Sequence, residues 1–312
     1  MPNNASPSAH ATVSHTSHAP TSNFGLTPLM LAAVTKDVPL VKSLLSKGAD
    51  IHARDDSGET PLMLGIQGGN VEVVRILIAA GSDVNARDHT GGTALMTAAA
   101  TSNIPCMVTL IDAHADLNIQ NVSYWTALML AVKFGNTASV STLIKAGANL
   151  NEAHFPAMTA LSVAVFGHKI NSLKLLIQAG ADVDAPMEGG STPLMLAVTE
   201  DYPDCVSILL SAGAKINAQE HGGITATGFA VAKDTNDVLK ILIAHGADVN
   251  VATKYGTTPI MYASQKGFTD EVKTLIAAKA NLNLADSKGK TALKLAKTEE
   301  ITSLLRSAGE TK

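Results

Sequence analysis

Ten histidines, two cysteines and a Gly289-Lys290-Thr291 tripeptide are the residues of this 312-residue chain whose types could support catalysis or ligand binding. Gly289-Lys290-Thr291 matches the close of a phosphate-binding P-loop, where backbone N–H groups cradle phosphate and the lysine reaches it. The loop needs a glycine five residues before Gly289, and Leu284 stands there. His10, His15 and His18 could share a metal ion, but no cysteine or second cluster accompanies them. His89, His154 and His221 are widely separated, and solvent exposure or partner contact suits them better than catalysis. No His-Glu-x-x-His, paired CxxC or nucleophile elbow is present. The sequence therefore predicts no catalytic residues, no metal and no cofactor, and the chain reads as a non-enzyme.

The elements behind these residues are set by one threonine. Thr27, Thr60, Thr93, Thr126, Thr159, Thr192, Thr225, Thr258 and Thr291 recur at a constant interval of 33 residues, a period that signals a solenoid. Pro or Ala follows each one, so the hydroxyl can cap a helix start while proline takes the first position, where no donor is needed. Two residues past the threonine stands Leu or Ile, except Thr227, and five past it Ala, except Gly65. Large at one position and small at the other predict a short helix packed closely on its neighbours. A second apolar helical run follows, such as Val73, Val74, Ile76, Leu77 and Ile78, too apolar for an isolated surface helix.

That run ends at Gly48, Gly81, Gly147, Gly180, Gly213 and Gly246, where a left-handed cap is easiest for glycine, while His114 and Lys279 mark weaker caps. Stretches such as Asp83-Val84-Asn85 and Asp248-Val249-Asn250 then lead to a turn with glycine two before the next threonine, which reads as a β-hairpin-like finger. Cys106 and Cys205 each fall 13 residues after their threonines, three repeats apart. At helix spacings of ~8–10 Å their separation is about 25–30 Å, which excludes a disulfide and makes them small core residues.

With Thr60-Pro61-Leu62, Gly246-Ala247-Asp248-Val249-Asn250 and the strict 33-residue step, the chain closely resembles the ankyrin repeat family. The resemblance covers residues 24–309. It implies an all-α repeat solenoid: about nine helix-turn-helix units with projecting β-hairpin fingers and a concave groove. Residues 24–312 are thus one ankyrin repeat domain whose last unit is a shortened polar cap, with Phe24 and Leu26 expected to fold over the first unit. Residues 1–23, built from Ser, Thr, His, Ala, Pro and Asn, read as a disordered tail. Where the family carries histidine three residues after the threonine, this chain has Met30, Met63, Met96, Met129, Met195 and Met261. This predicts a buried methionine ladder in which packing replaces hydrogen bonds. Asn85 and Asn250, each eight residues after a leucine, resemble ankyrin sites of asparagine hydroxylation, although asparagine is also simply a good turn former.

The net charge of −4 argues against a general nucleic-acid binder. No run approaches 18 apolar residues, so no membrane span is expected, and the first 23 residues have neither the charged nor the apolar part of a secretory signal. Two cysteines fit a reducing compartment. These readings place the chain in the cytoplasm or nucleus, as a monomer alone or a subunit of a larger complex.

Specificity is expected where the repeat is broken. Tyr124 and Ala157 replace the finger glycine, and Trp125 and Met158 follow them. A side chain there implies either a rearranged finger or strain. Five of the eleven aromatic residues, Tyr124, Trp125, Phe134, Phe155 and Phe166, fall within residues 124–166. With Met158 and Met187 they form a candidate partner-binding patch on repeats 4 to 6, or else pack on one another to support the glycine-free fingers. The function expected is a non-catalytic protein interaction module or scaffold. A regulatory or inhibitory subunit of an enzyme, or a structural component of a large assembly, is the alternative.

Overall fold

A computed structural model describes residues 24–154 and 157–309, leaving the side chain of His154 aside. The tail expected over residues 1–23, and Phe155, lie outside the described residues. The described residues divide into two compact units, one ending at Asp83 and the other beginning at Val84.

In the first unit, Thr27 and Thr60 are N-caps of α1 (Pro28–Val34) and α3 (Pro61–Gly68), each hydroxyl accepting from the backbone N–H three residues on. Each is followed by a second helix, α2 (Val38–Ser46) and α4 (Val71–Ala79). α1 packs on α3 and α2 on α4, burying Leu29, Ala32, Val41, Leu62, Val73 and Leu77. Each valine or leucine among these contributes roughly 1.5–3 kcal/mol by leaving water. Phe24 does not fold over this unit: it is exposed, and its carbonyl accepts from Asp56 N–H at 3.3 Å.

The second unit repeats the pair seven times. Its first helices are α5 (Ala94–Ala100), α7 (Ala127–Lys133), α9 (Ala160–Phe166), α11 (Pro193–Thr199), α13 (Ala226–Ala232), α15 (Pro259–Lys266) and the short α17 (Ala292–Leu295). The second helices are α6 (Ile104–Asp112), α8 (Thr137–Lys145), α10 (Ile170–Gln178), α12 (Pro203–Ser211), α14 (Asn236–Ala244), α16 (Thr269–Ala277) and α18 (Glu299–Ser307). First helices stack on first helices and second on second, and each pair packs internally. The small residue at the fifth position, Ala98, Ala131, Ala164, Ala197, Ala230 and Ala263, is fully buried, which is why a larger one is absent. Lys294, Lys297, Glu299, Glu300 and Arg306 are exposed on the last pair, as a terminal cap requires.

The six methionines are buried as expected, and at four of them a hydrogen bond to the sulfur joins the packing. Thr27, Thr60, Thr192 and Thr258 donate their N–H to the Sδ of Met30, Met63, Met195 and Met261 at 3.4, 3.5, 3.5 and 3.5 Å. The thioether thus does what a glutamate does in a capping box, returning a bond from the third helical position to the cap. All four cases are the repeats with proline after the threonine.

Left-handed backbone explains the punctuation. His114 and Lys279 take φ of 61° and 62° where the other second helices close on glycine. The helix-to-helix turns also pass through this region, at Lys36, Ser102, His168, Asp201 and Asp234 as well as Gly69, Gly135 and Gly267.

Candidate protein-interaction surface

Two adjacent fingers of the second unit are built from side-chain-supported turns. Asp88 Oδ1 accepts from the N–H groups of Thr90 and Gly92 at 2.7 and 2.8 Å, and Gly91 N–H returns to the Asp88 carbonyl at 2.9 Å. Asn121 repeats this in the next finger, accepting from Ser123 and Trp125 at 3.0 Å each, while Tyr124 N–H donates to the Asn121 carbonyl at 2.9 Å. Tyr124 therefore occupies the glycine place in an unchanged turn, with φ of 63° against 74° at Gly91. Of the two outcomes expected for this position, strain is the one realised. Ala157 follows suit at φ 65°, and its finger closes as an antiparallel pair of strands, β1 (Ala153–His154) and β2 (Met158–Thr159), with Ala153 opposite Thr159.

Tyr124 is 53% exposed and borders a shallow hollow with Arg87, Asn118, Gln120, Val122 and Glu152. Arg87 Nη2 donates to the Gln120 carbonyl at 2.7 Å, and Gln120 Nε2 donates to Glu152 Oε1 at 3.2 Å and to the Ala153 carbonyl at 3.0 Å. These bonds hold three successive fingers in register.

Trp125, half-buried at the finger base, lies 4.6 Å from Lys133 Nζ, whose other neighbour is the Phe134 ring at 5.8 Å. A cation set between two aromatic faces is attracted to both. Lys133 is a member that sequence reasoning missed; its eight-residue step from Trp125, just over two helical turns, was the available signal. Phe134 and Phe166, at the far ends of α7 and α9, are 56% and 58% exposed. Phe134 borders a second hollow with Gly135, Thr137, His168 and Lys169, separate from that of Tyr124. Met158 and Met187 are half-buried in fingers. A cationic side chain, Lys133, thus stands beside two of the aromatic residues.

Asn85 and Asn250 belong to a ladder. Asn85 Oδ1 accepts from Asp116 N–H at 2.8 Å and Asn250 Oδ1 from Asn281 N–H at 2.7 Å. Asn118, Asn151, Asp184 and Asn217 make the same bond to the residue 31 positions later. Each carboxamide or carboxylate pins its finger to the next, a role beyond turn formation.

Both cysteines are fully buried. Burial pushes the Cys106 thiol up, against the opposing hydrogen bond with Asn103. Gly289 turns left-handedly at φ 71°, and Asp286 Oδ1 accepts from Lys288 and Lys290 N–H at 2.9 Å each. The backbone donors there serve a finger. No helix among the described residues is long and apolar enough to cross a membrane.

A family model described as ankyrin repeats in three copies matches residues 4–88, 78–154, 151–220 and 228–311. The chain belongs to the ankyrin repeat family. The crystal structure of an ankyrin repeat domain from Acinetobacter baumannii AYE is similar at 35% identity and a TM-score of 0.57, covering 60% of this chain and 98% of that one. No curated protein matches the chain. Ankyrin repeats are generally protein–protein interaction modules and are typically non-enzymatic.

Proposed function

We propose that this ankyrin chain is a non-catalytic interaction module or scaffold that binds a protein partner through its finger tips and first-helix faces, centred on repeats 4 to 6. The observation that carries the reading is Tyr124: an exposed aromatic side chain kept on left-handed backbone that glycine occupies in seven of the nine repeats. Holding a bulky residue there costs roughly 1–2 kcal/mol. An exposed ring regains little of that by packing, so a contact made by the ring supplies a reason for it. Trp125, Lys133 and Phe134 offer the aromatic and cationic groups in which binding hot spots concentrate. Phe166, Met158 and Met187 extend the same proposed surface.

The test is paired affinity capture with the wild type and with Tyr124→Gly plus Phe134→Ala, each bait also measured for thermal stability. The reading expects a partner held by the wild type to be lost from the variant while its melting temperature stays level or rises. An unchanged partner set would overturn it.

A further inference from the structure

His168 stands on the left-handed turn between α9 and α10, at φ 50°. In the next repeat, α12 opens as Tyr202-Pro203-Asp204-Cys205. Tyr202, like the residues before α8, α10, α14 and α16, makes no side-chain capping bond. Its ring instead stacks on His168, with centroids 4.2 Å apart and planes at 20°. The stacked imidazole points Nε2 at Asp204, 2.9 and 3.0 Å from its two oxygens. Asp204 also accepts Cys205 N–H at 2.8 Å. One ligating atom from each of His168, Asp204 and Cys205 lies within 4.8 Å of the others, an arrangement found nowhere else among the described residues.

We propose that His168, Asp204 and Cys205 form a binding site for a zinc-class divalent cation, with imidazole nitrogen, carboxylate oxygen and thiolate sulfur as three ligands and water as the fourth. This donor set is one that zinc accepts, and two anionic ligands balance the double charge. Tetrahedral bonds of about 2.0–2.3 Å place ligand atoms roughly 3.3–3.6 Å apart, so separations of up to 4.8 Å need to close by at most about 1.5 Å, while the imidazole–carboxylate pair at 2.9 Å opens by about 0.5 Å. The imidazole and carboxylate side chains are 44% and 49% exposed, giving solvent a route in, while Cys205 is fully buried. Tyr202 holds the imidazole plane, the part usually played by a ligand's outer hydrogen-bond partner.

The apo cluster is a hydrogen-bonded one. Burial pushes the Asp204 carboxyl up, but the bonds from His168 and Cys205 outweigh it and hold the group below the usual carboxylate range. Burial, with the Asp204 charge, raises the Cys205 thiol to about 12. Binding breaks the S–H bond, forms a metal–sulfur bond and releases the thiol proton to solvent, while the imidazole gives up the Nε2 proton it shares with Asp204 and is left neutral with its proton on Nδ1, so that Nε2 can ligate.

The probe is Co(II), titrated into the reduced full chain and followed by its thiolate-to-cobalt charge-transfer absorption. Imidazoles elsewhere, including His10, His15 and His18, cannot produce that band. The expected result is one Co(II) per chain carrying the band, displaced by Zn(II). Cys106→Ala should leave it intact and Cys205→Ser should abolish it. Serine already occupies this repeat position at the buried Ser139 and Ser172, so the variant is compatible with the fold. His168→Asn keeps a residue tolerant of the left-handed turn, and Asp204→Asn keeps an acceptor for Cys205 N–H; each should weaken Co(II) by at least about tenfold. Absence of the band in the wild type, or a band and affinity indifferent to both His168→Asn and Asp204→Asn, would overturn the site and leave a surface ion pair above a core cysteine.

Discussion

Thr227 and Glu271 show how single buried polar atoms tune the stability of this array. Thr227 replaces the leucine of the repeat and is fully buried, and its hydroxyl has no hydrogen-bond partner. An unpaired buried hydroxyl costs roughly 1–3 kcal/mol. Thr227→Val, which keeps the shape and removes that group, should therefore raise stability by about 1 kcal/mol in denaturant unfolding. Glu271, buried at the third position of α16, has its carboxyl pushed up by burial. Its own backbone N–H opposes the shift, and the charges of Asp234 and Asp270 reinforce it. The folded state then holds the proton more tightly than the unfolded chain, so the native state loses stability as pH rises through the interval between the ordinary and the raised value. Glu271→Gln should melt higher than wild type at pH 7, and the gap should close below pH 4.5, where both forms are neutral. A constant gap across that range would contradict the assignment.

At the scale of the element, the finger and its ladder carry opposite effects. Tyr124 and Ala157 keep the left-handed turn without glycine, so Tyr124→Gly and Ala157→Gly should each stabilise by ~0.5–1 kcal/mol, strain relief exceeding the entropy cost of glycine. Asn217 does the reverse. Its Oδ1 accepts Asp248 N–H at 2.9 Å, and Asn217→Ala should cost about 1 kcal/mol with faster amide exchange at Asp248, read by hydrogen exchange. If the exchange rate there did not change, the rung would have no energetic weight.

For the whole molecule, stability is approximately a sum of repeats and the interfaces between neighbours. α17 covers α15 and α18 covers α16, while their own outer residues are charged. Deleting residues 292–309 should uncover Ile260, Met261, Val272 and Leu275, lower the melting temperature and increase binding of a hydrophobic dye. The proposed interaction surface belongs to this scale as well, since Tyr124 and Phe134 border separate hollows.

The sequence by itself determined the repeat, the helix starts and the stops. A threonine every 33 residues, a large and a small apolar position behind it and glycine at the ends are local rules that act in every unit alike. It also marked Tyr124 and Ala157 as departures, because a non-glycine residue at a left-handed position is visible in one dimension. Only the tertiary structure decided between a rearranged and a strained finger, since that depends on whether Asn121 still closes the turn. The methionine–threonine sulfur bonds escaped because Met in a periodic apolar run reads as packing. The Asn ladder and the His168, Asp204 and Cys205 cluster escaped for another reason. Their partners lie 31, 36 and 37 residues away, and only the stacking of successive repeats converts that separation into contact.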